Sequence, residues 1–148
     1  MKSLLKVITA AIFCLLCAVG MIGCTENETV DVVCGFWSTR EISINDNFKI
    51  DEICLSIEEC EYETASANII SLNEKNYAVQ LKIIINGQPE IFNDNLGVTY
   101  YSKVMRIAFS HKEDNIYMTC AFKKCNESIF ISATILLNDV STNITLST

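Results

Sequence analysis

The chain has 148 residues, a net charge of −7 and eight cysteines. Such a length accommodates one domain and little more. The 18 acidic residues against 11 basic ones repel phosphate backbones and anionic membrane surfaces, so nucleic acid is excluded as a favoured partner.

The N-terminus has the pattern of an export signal. Lys2 and Lys6 are followed by the apolar run Val7–Val19 and then by small residues up to Gly23. This run is shorter than the roughly 20 residues of a membrane-spanning helix. We therefore expect a signal peptide over 1–23 and a single domain over 24–148. Removal of the signal takes away two of the 11 basic residues and no acidic one, which leaves a net charge of −9.

The rest of the chain has the period-two pattern of half-buried β-strands. It predicts strands at 77–86, 100–109, 116–122 and 129–137, with the last two forming a hairpin across "KKCNES", and earlier strands at 39–45, 53–58 and 66–72. "NG" at 86–87 predicts a turn, and "SHKEDN" at 110–115 a polar one. About seven amphipathic strands without a helix predict an all-β fold, a two-sheet antiparallel sandwich of immunoglobulin-like type. The predicted inward residues include Tyr77, Tyr101, Met105, Ile116, Cys120, Ile129, Ala133 and Leu137.

Few residues suited to catalysis are present. His111 is the single histidine, and its polar surroundings predict a solvated turn residue. The chain lacks a second histidine for a nucleophile–base pair and a glycine-rich phosphate loop, so we expect no enzyme and no cofactor. The acidic stretch at 51–63 has the spacing of no calcium loop and is interpreted as a charged strand edge. No metal site is expected.

The cysteines indicate an oxidising compartment, because eight of them occur in an exported chain. Cys54 and Cys60 would lie about 20 Å apart on a continuous strand at ~3.3 Å per residue, so pairing requires the chain to double back between them. Cys14 and Cys17 leave with the signal. The candidates for disulfide bonds are Cys34, Cys54, Cys60, Cys120 and Cys125. The N-x-S/T motifs mark Asn27, Asn126 and Asn143 as glycosylation candidates in a eukaryotic pathway.

Three segments together resemble the ML lipid-recognition family. They are "TVDVVCG", "LKIIINGQPEIFNDNLG" and "NIYMTCAFKKCNESIFISATILL", and the similarity spans about residues 28 to 138 by order and spacing. The resemblance implies a secreted domain that holds a lipid or sterol between two β-sheets. It also implies a small loop closed by Cys54 and Cys60. The family's last cysteine is absent from the final strand, so Cys120 or Cys125 would have to pair with Cys34.

The leading hypothesis is therefore a secreted, extracellular, non-enzymatic protein that binds a small apolar ligand, a lipid or sterol. The inward faces are apolar enough to line a cavity, although the same faces would equally form an ordinary packed core. The candidate lining residues are Val79, Leu81, Ile83, Ile85, Ile107, Phe109, Met118, Phe122, Ile131 and Ile135.

Two other interpretations stay open. "MIGC" at 21–24 is similar to a lipobox, which would make the chain a bacterial cell-envelope lipoprotein anchored to the membrane through lipid on Cys24. In that case the fold is a β-sandwich or a lipocalin-like barrel of unknown role, and "GFW" at 35–37 resembles the G-x-W opening of lipocalins. The third interpretation is a recognition domain that acts through exposed aromatic residues, with Tyr100 and Tyr101 as candidates.

Overall fold

The computed structural model describes residues 27–46, 48–61, 68–92 and 96–148. Every regular element in this part is a β-strand. The expected signal peptide and Cys24 lie outside the described residues. Within the described part, no helix has the length and apolar character needed to cross a membrane. The strands are β1 Glu28–Val30, β2 Gly35–Asn45, β3 Phe48–Cys60, β4 Ile69–Leu72, β5 Lys75–Ile85, β6 Gln88–Phe92, β7 Gly97–Tyr101, β8 Val104–His111, β9 Asp114–Cys125, β10 Ser128–Leu137 and β11 Val140–Leu146.

The strands form two antiparallel sheets that are not closed into a barrel. The six-stranded sheet has the order β11-β10-β9-β8-β7, with β1 paired to the end of β9. The five-stranded sheet has the order β2-β3-β5-β4, with β6 also paired to β5. The two sheets are joined at one corner, where Ser38 and Ser147 exchange backbone hydrogen bonds of 2.9 and 3.1 Å. The predicted all-β, two-sheet architecture is thereby confirmed.

The core lies between the two sheets and follows from the alternation of apolar and polar residues. The inner face of β9 carries Ile116, Met118, Cys120 and Phe122, all buried, whereas Tyr117 points outward. β5 and β10 alternate in the same way. The predicted hairpin of β9 and β10 is confirmed, and its turn is reduced to Asn126 and Glu127.

The turns explain why eleven strands are present where about seven were expected. Asn86 and Gly87 both have positive φ, as a two-residue type I′ hairpin requires, and the predicted turn is confirmed. Ser102 and Lys103 form a second hairpin with φ of 53° and 63°. The continuous segment predicted at 100–109 is therefore wrong. Tyr101 lies before this turn and is 86 % exposed instead of facing the core.

His111 is not a solvated turn residue. It is the last residue of β8 and is buried, and the turn consists only of Lys112 and Glu113. The strand extends this far because Ser110 and His111 pair with Asn115 and Asp114 of β9.

The acidic stretch does not form a sheet edge over residues 51–60. This part belongs to β3, which lies between β2 and β5, and residues 62 and 63 lie outside the described residues. Two of its carboxylates face cross-strand cations, with Arg40 Nε 3.3 Å from Glu52 Oε1 and Lys75 Nζ 3.0 Å from Glu59 Oε2. Both pairs are exposed to solvent, which screens the attraction, so neither makes a large contribution to stability.

Candidate ligand-binding site

The ten predicted lining residues all lie on inner faces. They come from β5 in the five-stranded sheet and from β8, β9 and β10 in the six-stranded sheet, and all are buried in one apolar cluster. Their exposed fractions run from 0 % to 8 %. The structure thus brings these residues together, and whether a ligand separates them stays a prediction.

Several inner-face residues were missed by the sequence interpretation. Ile53, Leu55 and Ile57 of β3 are fully buried opposite β5, and Leu146 of β11 is buried beside β10. The alternation of Ile53, Leu55 and Ile57 was visible in the sequence. Cys54 and Ser56 alternate with these three residues, and their small, more polar side chains are typical of an outer face.

One polar pair lies on the inner faces at one end of the sandwich. His111 is the one buried polar residue of the described part, and its Nδ1 is 2.8 Å from Glu90 Oε2. Glu90 belongs to β6 and pairs with Ile83, so its side chain shares the inner face with Ile83. The contact therefore joins the two sheets.

The contact with Glu90 determines whether His111 Nε2 donates a hydrogen bond to a ligand or accepts one from it. When Nδ1 donates to the Glu90 carboxylate, Nε2 of the neutral ring is an acceptor, and it becomes a donor when the ring is protonated. The Glu90 side chain is 38 % exposed and the His111 side chain 7 %. The pair consequently links the buried interior to solvent.

Aromatic rings surround the His111 end. The centroid of Phe48 is 5.9 Å from that of His111, and Phe92 is 5.1 Å from Phe109. Phe48 and Phe92 are only partly buried. The rim at this end is therefore apolar, adaptable and in partial contact with solvent.

The other end of the inner face is closed by Trp37. Its ring meets Phe122 edge to face at 5.7 Å, and Trp37 is 2 % exposed. Gly35 allows this packing, because a Cβ there would lie 3.3 Å from the indole Nε1. That Nε1 is buried without a hydrogen-bond partner among the described residues. The "GFW" motif thus builds a buried, mainly apolar plug.

The cysteines differ from the expected disulfide framework. Cys34, Cys54, Cys60 and Cys120 are free thiols, and no disulfide joins two of the described residues. The small loop implied for Cys54 and Cys60 is wrong, because β3 runs through both positions without doubling back. Cys125 is disulfide-bonded.

Burial determines the chemistry of two of the thiols. Desolvation raises the pKa of Cys120 to about 12, so this thiol stays neutral at physiological pH. Burial, followed by the nearby charge of Glu52, also raises the pKa of Cys54. Neither is poised as a nucleophile. Cys34 is exposed before β2.

The glycosylation candidates all lie at exposed positions. Asn27 precedes β1, Asn126 is in the β9–β10 turn, and Asn143 is on β11. Asn143 Oδ1 accepts a 2.8 Å hydrogen bond from Thr134. Glycan attachment at any of them stays a prediction.

Comparisons with known proteins give no family for the chain. No family model, curated protein or solved structure matches it. The resemblance to the ML family therefore stays a prediction.

Proposed function

We propose that the chain is a non-enzymatic binding protein that takes an apolar ligand, a lipid or sterol, between its two sheets. One observation carries the proposal: the two sheets face each other with apolar residues, and at one end of the described inner faces lies a polar pair of the buried His111 and the partly exposed Glu90. An acyl chain or sterol has the matching chemistry, with a long apolar body and one polar group.

Binding requires the packed inner faces to separate. Apolar area removed from water contributes about 25 cal/mol per Å², which favours an apolar ligand over water in the opened space. The partly exposed rim at Phe48 and Phe92 supports entry at the His111 end, because few buried contacts have to break there. The Nε2 atom of His111 is then available to the polar group of the ligand.

The lipocalin-like barrel is wrong, because the two sheets are not closed into a barrel. Within the six-stranded sheet, β7 to β11 follow one another as adjacent hairpins, whereas immunoglobulin folds use Greek-key connections. In the five-stranded sheet, β3 pairs with β5 instead of with β4.

Palmitate and cholesterol are the two probes that test lipid binding. Native mass spectrometry of the purified chain with each lipid is expected to give a one-to-one complex, and displacement of a fluorescent fatty acid gives its Kd. Ile83→Trp fills the inner face beside Glu90 and is expected to weaken binding at least tenfold. Lys82→Trp, its neighbour on the outer face, is the matched control. Absence of any lipid complex in the wild type would contradict the proposal.

The location is tested separately by intact mass. A plain or glycosylated mature chain supports a secreted, extracellular protein, whereas a diacylglyceryl adduct on Cys24 supports the cell-envelope lipoprotein. Disulfide mapping of Cys125 adds an independent result. If Cys24 is its partner, that sulfur is not available for lipid.

A further inference from the structure

An open pocket lies on the outer face of the six-stranded sheet, away from the inner faces. It is open to solvent, spans β7, β8 and β9, and has a volume of about 400 Å³, within the range of small-molecule sites. Two rows of paired residues cross its floor. One row is Gly97, Ala108 and Tyr117, and the other is Thr99, Arg106 and Thr119.

The first row is apolar and leaves a depression beside an aromatic ring. Gly97 and Ala108 present almost no side chain, and Tyr117 next to them is 52 % exposed. Gly97 is not required by packing, because a Cβ there would make only ordinary 3.8 Å contacts with Ala108. The depression is therefore a property of the side chains, and a larger residue would fill it without straining the backbone.

The second row is polar and carries one positive charge. Arg106 has exposed threonines on either side in register, Thr99 and Thr119. None of the described carboxylates forms an ion pair with Arg106, although the chain has 18 acidic residues. Its nearest neighbours along β8 on the same face are Val104 and Ala108. The guanidinium is left with its hydrogen-bonding fork available.

We propose that this pocket binds a sugar ring that carries a carboxylate, a uronic acid. The apolar C–H face of the ring packs on Tyr117 and the depression at Gly97 and Ala108, because aromatic side chains present an amphipathic surface. The carboxylate forms a bidentate pair with Arg106. The ring hydroxyls exchange hydrogen bonds with Thr99 and Thr119, each of which both donates and accepts.

The charge of the chain narrows the ligand class further. A net charge of −7 disfavours polyanions such as nucleic acids and polyphosphates at long range. A single carboxylate that meets Arg106 in a shallow pocket avoids most of that repulsion. The ligand is therefore a monosaccharide or chain end with one acidic group.

The probes are methyl β-D-glucuronide and methyl β-D-glucoside, with Kd measured by ligand-observed NMR. The wild type is expected to bind the glucuronide up to about fivefold more tightly, since Arg106 is exposed and solvent weakens an exposed ion pair. Arg106→Gln is expected to bind the glucuronide and the glucoside with equal affinity. Lys82→Gln on the outer face of the other sheet is the matched control and should leave it intact.

Two more variants test the pocket itself. Gly97→Val is expected to fold with an unchanged melting temperature and to lose binding of both probes. Tyr117→Phe should retain binding, whereas Tyr117→Ala should weaken it for both probes equally. Binding of neither probe by the wild type, or undiminished binding by Gly97→Val, would overturn the proposal. Ile83→Trp should not affect this pocket, which separates the result from that of the inter-sheet site.

Discussion

The two ends of the inner face of the six-stranded sheet differ in polarity and closure. On β9, Asp114, the partner of His111, and Phe122 are eight positions apart, which is ~26 Å at 3.3 Å per residue. At the Phe122 end, the buried Trp37 and Val32 form a mainly apolar plug. At the His111 end, a histidine–glutamate pair and two half-buried rings face the interior. The difference predicts that the first end contributes more to stability and, under the proposed function, that the ligand enters at the second end.

Truncation of Trp37 should have the largest effect. Trp37→Ala is expected to lower the free energy of unfolding by about 3–5 kcal/mol, as for other large aromatic residues in cores. Urea denaturation followed by circular dichroism measures it. Phe92→Ala at the other end should cost clearly less, because that ring is partly exposed already. Equal losses at the two positions would remove the proposed contrast.

Alkaline pH should destabilise the closed end through Cys120. Its folded pKa of about 12 is raised above the ordinary value of 9.0, so the unfolded chain loses its proton first. The neutral Cys120 thiol stabilises the fold fully below pH 9, and this stabilisation is lost as pH rises toward 12. The free energy of unfolding then falls by up to about 1.4 kcal/mol per pH unit.

Denaturant titrations between pH 8 and 11 check this slope. Cys120→Ala should flatten it. Burial also raises the pKa of Tyr100, so Tyr100→Phe serves as the control for the phenol. An unchanged slope in Cys120→Ala would show that another group is responsible.

Glu90→Gln should have the smallest effect on stability. The amide keeps a hydrogen bond to His111 and loses only the charge, so a decrease of about 1 kcal/mol in the free energy of unfolding is expected. The same variant should change the affinity for palmitate more than that for cholesterol, because palmitate is charged. Identical changes for both lipids would argue against a polar group bound at this end.

The sequence predicted those parts of the fold that are determined locally. β5, β9 and β10 follow from strict alternation, and the Asn86–Gly87 turn follows from residues that adopt positive φ readily. The hairpin at Ser102 and Lys103 was missed because neither residue type is typical of such a turn. The error placed Tyr101 on the wrong face.

The polar end could not be predicted because it depends on contacts between distant segments. His111 is surrounded by polar neighbours in sequence, yet its partner Glu90 lies 21 residues away on the other sheet. The continuity of β3 through Cys54 and Cys60, where the small loop was implied, also depends on contacts between distant segments. Only the pairing of β3 with both β2 and β5 establishes that the strand is continuous.

Isoleucine-methyl NMR during a palmitate titration shows directly whether the ligand binds between the two sheets. We expect shifts at Ile83 and Ile85 near the His111 end and smaller ones at Ile57, with Ile84 and Ile91 on the outer face unchanged. Shifts confined to the outer-face methyl groups, or none at saturating palmitate, would contradict a ligand between the sheets.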